Sequence, residues 1–484
     1  MHDQITRRVW ALSCAVAVTC SYPSCAAATD LFGTQPFALD QPRINALLRR
    51  GAAEAPLTGT DVLGDEVFNI EAFYDTGASG VILSESTADV LGVNRARFPE
   101  SAGTLVTFED VGVAGSDTFN VSEPLHISLA PFHPLTDINN LSTQATVYDQ
   151  SFGPIHTQVG PLNVVNPLLS DIDVFGMPTM RGKVVVMDPK PVDTLLDTMR
   201  TYVYEPDTPF DPGAKDIDPG IPVTNRTVRL SLASFNDFTT IQPAGAQGPM
   251  LAANPFIGHS PYPLDPAASD TPPGVTVSLN GHETTGSFLF DTGAAASLLS
   301  KKLAADLHLR YVQDTENTND PRLETFDPLN PTAPGSVLVD QFEATIFGIG
   351  GSSTVAGFFL DSLLLRTVEG DTKSPDDPNH LRFVAAPVLV SDITLLNPTT
   401  QTPFTLDGVL GMNYLVASAF VSEDPFTIGP FGTGAFNWLV FDETRGELRL
   451  DLKAAAVPIP TAILMLLSAL LSLLAGTRRR AAPG

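Results

Sequence analysis

Short apolar runs broken by turns make up most of the chain, and long helical patterns are scarce. Segments such as "KVVVMD" (183–188) and "WLVFDETRGELRLD" (438–451) are typical of β-strands. The 37 glycines and 41 prolines provide frequent turns. Short helices are predicted after Ser84 and Ser300, because each serine suits the N-cap position of the residues that follow. The pattern therefore predicts an all-β, turn-rich protein.

The chain contains an internal duplication. Three landmarks recur in the same order in both halves, in the pairs 75–93 and 291–309, 111–118 and 347–354, and 174–178 and 409–413. The first pair aligns without gaps, and eight of its nineteen positions are identical. Because a shared order of three landmarks rarely arises by chance, we predict two lobes of common design.

Each half contains the word D-T-G directly after a strand-like apolar run, beginning at Asp75 and at Asp291. Two carboxylates within hydrogen-bond reach cannot both ionise cheaply, so such a pair shares a proton over a broad pH range. The charged partner can then activate a water while the protonated partner donates to a carbonyl oxygen. This chemistry needs neither a metal nor a covalent intermediate, and we predict no cofactor and no metal ligand.

Two D-T-G words, each followed later by two apolar residues and a glycine, resemble the aspartic proteases over roughly residues 57–190 and 271–453. The resemblance implies a bilobal double β-barrel with pseudo-twofold symmetry. It also implies that Asp75 and Asp291 meet as a catalytic pair and that the substrate is a polypeptide. We expect a two-lobed monomer.

The neighbours of the two aspartates have implied roles as well. By the same resemblance, Thr76 and Thr292 join the two loops through hydrogen bonds beneath the pair. The remaining supporting positions are glycines that allow the tight turns and offer N–H groups (Gly77, Gly293) or let a core strand pass close beneath each loop (Gly176, Gly411).

Glycine-rich hairpin tips in both halves are flap candidates. Such a hairpin folds over bound peptide, excludes water and supplies backbone donors. The candidate glycines are Gly112, Gly115, Gly348, Gly350 and Gly351. The alternative for each tip is an ordinary hairpin turn.

Two departures from pepsin-like enzymes qualify the resemblance. Pepsin-like enzymes carry a hydroxyl side chain three residues after each aspartate, whereas this chain has Ala78 and Ala294. They also carry a flap tyrosine, and none lies between Asp75 and Tyr148. The lobes are thus similar to retropepsins in detail and to pepsins in layout. Because the carboxylates lose one hydrogen bond, we expect activity to reach toward neutral pH.

The N-terminal segment is typical of a secretory signal peptide. A basic start at Arg7–Arg8 precedes an apolar stretch and the small residues Ala26–Ala28, which predicts cleavage after residue 28. All three cysteines lie within this segment, so the mature protein has none. We therefore expect an exported protein whose fold depends on core burial.

The C-terminal segment (454–484) has a "VPIP" word, an apolar run over 461–475 and three terminal arginines, Arg478–Arg480. This order of parts resembles the PEP-CTERM sorting tails of Gram-negative bacteria. The resemblance implies a transmembrane helix and recognition by an exosortase-type peptidase in the membrane. The alternative is a plain C-terminal membrane anchor.

The formal net charge of −27 excludes nucleic acid and anionic lipid as favourable partners. We predict an aspartic endopeptidase located in the cell envelope or outside the cell. The alternative is an inactive bilobal β module that binds peptide or polysaccharide. The predicted segments are a signal peptide (1–28), an N-terminal segment (29–56), an N-terminal lobe (57–190), an interlobe segment (191–270), a C-terminal lobe (271–453) and a sorting tail (454–484).

Overall fold

The computed structural model describes most of the chain between residues 28 and 453. The described ranges are 28–97, 103–133, 147–161, 172–190, 198–214, 218–233, 260–266, 274–313, 321–371, 373–396, 403–416 and 434–453. The predicted signal peptide up to residue 27 and the predicted tail (454–484) lie outside them. Among the described residues, no helix has the length and apolar character needed to span a membrane.

Regular structure within these ranges is nearly all β, with few helices, consistent with the predicted double β-barrel. The first half contains β1 (Thr29–Leu31), β2 (Arg43–Arg49), β3 (Gly59–Thr60), β4 (Glu66–Val67), β5 (Ile70–Tyr74), β6 (Val81–Leu83), α1 (Glu85–Val90), β7 (Thr107–Gly112), β8 (Gly115–Val121), β9 (Leu125–Ala130), β10 (Gln150–Ile155), β11 (Gln158–Pro161) and β12 (Val174–Phe175). The middle of the chain contains β13 (Val184–Asp188), β14 (Arg200–Tyr204), β15 (Arg226–Ala233) and β16 (Ser260–Pro263).

The second half is likewise made of short strands with one short α-helix. It contains β17 (Val275–Leu279), β18 (His282–Gly286), β19 (Phe288–Phe290), β20 (Leu298–Leu299), α2 (Lys301–Asp306), β21 (Leu309–Gln313), β22 (Pro321–Thr325), β23 (Ser336–Val337), β24 (Phe342–Gly348), β25 (Gly351–Leu365), β26 (Leu381–Val390), β27 (Thr394–Leu396), β28 (Pro403–Thr405), β29 (Gly408–Leu410), β30 (Phe436–Asp442) and β31 (Glu447–Leu452). Short 3-10 helices, Met177–Thr179 and Met412–Tyr414, follow β12 and β29.

Each lobe is built on one large sheet. In the N-terminal lobe the described strands follow the order β10-β9-β2-β5-β12-β6-β11-β8-β7. In the C-terminal lobe the order is β18-β17-β25-β26-β20-β29-β19, with β24 added beside β25. Both sheets contain the same local unit, in which a short strand (β12 or β29) lies parallel to the strand that ends at an aspartate (β5 or β19). The predicted duplication thus appears as a repeated strand arrangement.

A sheet of six described strands joins the lobes, in the order β14-β13-β30-β31-β15-β16. Its strand β13 is apolar on both faces because both faces are covered. Val184 and Val186 pack in a cluster with Tyr202 and Trp438. Val185 belongs to the main core instead. This two-sided burial explains the unbroken apolar run of β13.

Two segments outside the predicted lobes contribute strands to the described structure. Within the interlobe segment (191–270), β14, β15 and β16 pair in the central sheet. The N-terminal segment (29–56) is likewise part of both lobes. Its β1 pairs in parallel with β26 of the C-terminal lobe, whereas its β2 lies between β9 and β5 of the N-terminal lobe. Such pairing joins residues that are distant in sequence, so no local pattern reveals it.

The two predicted helix starts are confirmed. Ser84 caps α1 by accepting a hydrogen bond from the Thr87 N–H, and Ser300 caps α2 by accepting one from the Leu303 N–H. Ala88 and Ala304 bury one side of these helices. Each helix follows the strand after a D-T-G turn and so helps to fix that turn on its lobe.

Candidate active site

The two D-T-G turns occupy equivalent places in the two lobes. β5 ends at Tyr74 immediately before Asp75, and β19 ends at Phe290 immediately before Asp291. The Asp75 N–H donates to Phe175 O at 3.0 Å, and the Asp291 N–H donates to Leu410 O at 3.1 Å. Both aspartates are therefore held at the end of a buried strand by the neighbouring parallel strand.

Reciprocal hydrogen bonds join the turns across the lobe boundary. The Thr76 N–H donates to Thr292 Oγ1 at 2.9 Å, and the Thr292 N–H donates to Thr76 Oγ1 at 3.0 Å. The hydroxyl of Thr76 donates in turn to Phe290 O, and that of Thr292 donates to Tyr74 O. Both threonines are buried. These four bonds are the geometry that the resemblance implied for Thr76 and Thr292.

The structure brings the two aspartate carboxylates together. Asp75 Oδ1 accepts hydrogen bonds from the N–H of Gly77 at 2.7 Å and from that of Gly293 at 3.1 Å. Asp291 Oδ1 accepts one from the Ala294 N–H at 2.8 Å. A Cβ placed on Gly77 would overlap the Asp291 carboxylate, and one placed on Gly293 would overlap that of Asp75. Only glycine fits at either position, because each turn packs against the acid of the other lobe.

The close approach changes the ionisation of the pair. Removal from water, followed by the nearby negative charge of Asp75, raises the pKa of Asp291 well above its ordinary value, although backbone N–H groups act in the opposite direction. The arrangement therefore favours one charged and one protonated carboxyl group.

The glycines predicted beneath the turns lie in close contact with them. The Gly176 N–H donates to Gly80 O at 3.0 Å, and the Gly411 N–H donates to Ser297 Oγ at 2.9 Å. A Cβ on Gly176 would overlap Gly80 O, and one on Gly411 would lie 2.6 Å from Ala296 O. Backbone cannot yield easily at such distances, so a side chain at either position would displace the turn above it.

The predicted flap glycines lie at two matching hairpin tips. Gly112 pairs with Gly115 at the end of β7–β8, and Gly348 pairs with Gly351 at the end of β24–β25. Gly115 and Gly351 have φ values of 129° and 112°, which other residues rarely adopt. Gly350 lies within the second tip, also at positive φ.

The two hairpin tips contact each other. The Ala114 N–H donates to Ile349 O at 3.2 Å, and the Gly350 N–H donates to Asp117 Oδ2 at 2.9 Å. Val113 also packs against the same apolar cluster as Ala294, which directly follows the second D-T-G word. Equivalent segments of the lobes thus meet twice, once at the aspartates and once at the hairpin tips.

Sequence reasoning missed one segment at this site, the N-terminal strap (residues 32–42). Its Gln41 side-chain amide donates to Gly293 O, and its Ala38 N–H donates to Ala295 O at 2.7 Å. Asp40 accepts a hydrogen bond from the Met199 N–H. The strap therefore connects the N-terminal lobe to the turn that carries Asp291, and no local sequence pattern marks it.

In the part of the chain that the structure describes, no group of three or more histidine, cysteine, aspartate or glutamate side chains lies in an arrangement that could hold a metal ion. The absence of a cofactor remains a prediction from the sequence.

Comparisons with known proteins agree with the D-T-G resemblance over part of the chain. A family model described as aspartyl protease matches residues 275–320, which include Asp291. Comparison with curated protein sequences gives no match.

Similar solved structures include edgp (TM-score 0.35, 8% identity, covering 85% of this chain and 95% of that one). They also include Basic 7S globulin from soybean (0.34, 10%, 86% and 96%) and conglutin gamma, a basic 7S globulin from lupine seeds (0.33, 8%, 86% and 96%).

Proposed function

We propose that the chain is an aspartic endopeptidase of retropepsin-like type that hydrolyses peptide bonds with a water activated by Asp75 and Asp291. The main support is the meeting of the two carboxylates above the reciprocal bonds of Thr76 and Thr292. The two acids directly follow buried strands of the two lobes, and such elements position catalytic groups more precisely than loops do.

The proposed reaction assigns different roles to the two acids. Asp75, as the charged partner, takes a proton from the water as its oxygen bonds to the scissile carbonyl carbon. Asp291, whose pKa is raised, donates its proton to the carbonyl oxygen. As the tetrahedral diol collapses, the carbon–nitrogen bond breaks and Asp75 gives its proton to the amine nitrogen. One diol hydroxyl returns a proton to Asp291, which restores both acids to their starting states.

The retropepsin-like assignment is supported by the hairpins and by the alanines after each D-T-G word. Both lobes carry a hairpin, and the two tips meet at Ala114 and Ile349. Ala294 offers only its backbone N–H to Asp291, so the acid receives no hydroxyl donor from that position. We therefore expect substantial activity near neutral pH, and an optimum near pH 2 would contradict this part of the proposal.

The test compares the wild type with Asp75→Asn and Asp291→Asn on an unfolded protein across pH 3–7. Asp306→Asn, which changes an exposed aspartate at the end of α2, is the matched control. We expect each active-site variant to lose at least about a thousandfold in kcat, because an asparagine cannot exchange the proton. Equal cleavage by all four proteins, or none by the wild type, would favour the inactive peptide- or polysaccharide-binding module.

We also propose that the protein is exported from a Gram-negative bacterium and sorted at the cell envelope through its C-terminal tail. The support is the order of signals in the sequence at 1–28 and 454–484. Cell fractionation of the full chain and of a chain that ends at residue 453 tests this proposal. Identical distribution of the two proteins would contradict it.

A further inference from the structure

The hairpin β7–β8 presents two facing carboxylates. Asp110 pairs with Asp117 across the strands, so both side chains lie on one face. Asp117 Oδ2 accepts a hydrogen bond from the Gly350 N–H, so this face is turned toward the second hairpin. The second hairpin carries Ile346 opposite Ser353 at the equivalent positions. The acid pair therefore belongs to one lobe alone.

Next to Asp110 lies a buried amide with an unused acceptor. Gln158 is 1% exposed, and its Nε2 donates to Asp110 Oδ2 at 2.8 Å. Its Oε1 has no hydrogen-bond partner in the part of the chain that the structure describes. A buried carbonyl oxygen without a donor is unfavourable, so this site is incomplete as it stands.

Asp110 also lacks a compensating charge among the described residues. Its carboxylate accepts hydrogen bonds from the Gln158 amide and from the Val111 N–H, both of which are neutral. Removal from water raises the pKa of Asp110, and these two hydrogen bonds act against that effect. A positive charge delivered beside Asp110 would stabilise its ionised form.

The position of Gln158 relates this site to the aspartates. Val174 on β12 pairs with Phe73 on one side and with Ile82 on the other. Ile82 in turn pairs with Gln158. Directly paired residues point to the same face, so all four side chains share one face of the sheet. Phe73 lies two residues before Asp75. Three strand spacings separate β5 from β11, a distance of about 14 Å along the sheet, which an extended peptide covers in about four residues.

We propose that Asp110 and Gln158 form a specificity subsite for a lysine or arginine side chain of the substrate. This inference rests on the proposed peptidase function. The ammonium or guanidinium group donates to Asp110 and to Gln158 Oε1 together. The Asp110 carboxylate thereby gains a positive partner, and Gln158 Oε1 gains the hydrogen-bond donor that it lacks. Because Ile346 takes the place of Asp110 in the other lobe, a basic residue is selected on one side of the cleaved bond only.

A binding experiment tests the subsite separately from catalysis. The full chain carrying Asp75→Asn is immobilised, exposed to a randomised decapeptide library, and the retained peptides are sequenced. We expect lysine and arginine to be enriched about tenfold or more at one position. Adding Asp110→Asn, which keeps the side-chain shape, removes the enrichment. Adding Glu109→Gln, which alters the neighbouring exposed acid on the opposite face, preserves it.

The outcomes separate this inference from the proposed function. No basic enrichment, enrichment of neutral amides instead, or unchanged enrichment with Asp110→Asn overturns the subsite. Wild-type cleavage of the same library, with sequencing of the products, tests the peptidase. Cleavage without a basic preference leaves the peptidase in place and removes the subsite. Basic enrichment without cleavage retains the subsite and removes the peptidase.

Discussion

Replacing Thr76 by valine tests the interlobe hydrogen bonds beneath the aspartates. Valine matches the shape of threonine, but it can neither donate to Phe290 O nor accept from the Thr292 N–H. Both of these groups lie at a site where the Thr76 and Thr292 side chains are 2% and 1% exposed. Because each buried unsatisfied polar group costs about 1–3 kcal/mol, we expect the free energy of unfolding to fall by about 2–6 kcal/mol.

The matched control is Thr76→Ser, which keeps the hydroxyl and loses one methyl group at a cost of about 1 kcal/mol. Urea unfolding followed by intrinsic fluorescence measures both variants. The single variant Thr292→Val and the double variant Thr76→Val/Thr292→Val complete a double-mutant cycle. Since the two threonines share one network, the sum of the two single losses should differ from the loss of the double variant by about 0.5 kcal/mol or more. Equal stability of the valine and serine variants, or additive losses, would refute the argument.

Three further predictions concern the supports of the site and its ionisation. Gly176→Ala should lower the free energy of unfolding by about 2 kcal/mol or more in urea, since its Cβ overlaps backbone oxygen; an unchanged midpoint would contradict this. In the wild type, the raised pKa of Asp291 means that stability falls as pH rises from the ordinary pKa of 3.8 through the raised value. Asp291→Asn removes this ionisation, so it should raise the melting temperature at pH 7. That gain should vanish below pH 3.8, and an equal gain at pH 3 would count against it. Asp442→Ala should cost about 1–3 kcal/mol in urea unfolding, since it removes the buried carboxylate that Arg449 and Arg445 contact but leaves Glu447 and Asp207 beside them; an unchanged free energy of unfolding would argue otherwise.

The sequence predicted the parts of the site that repeat. The word D-T-G, the apolar-apolar-glycine word and the glycine-rich tips each occur twice, and the structure places them at equivalent positions in the two lobes. Their local chemistry also determined their geometry, because a tight turn after a buried strand and a close backbone approach both select glycine. The caps at Ser84 and Ser300 were predictable for the same reason.

Features that depend on distant partners were not predictable from one sequence. Gln41 reaches Gly293 O because the N-terminal strap crosses to the other lobe, and nothing in its neighbourhood signals that route. The strands of the interlobe segment lie among prolines and aspartates that favour loops, and the local pattern of β15 does not reveal that its partner is β31, far along the chain. Asp110 was overlooked because it interrupts the symmetry on which the sequence argument depended.

The pairing of β1 with β26 has a consequence for how the chain is made. Asp30 and Arg382, which form an ion pair between these strands, are separated by 352 positions. At about 5–20 residues per second, a ribosome needs roughly 20–70 s to synthesise the chain between them. The earliest strand thus remains without its partner until most of the protein exists. We therefore expect the sheet of the C-terminal lobe to be completed late in folding, with the residues of β1 among the last to find their native place.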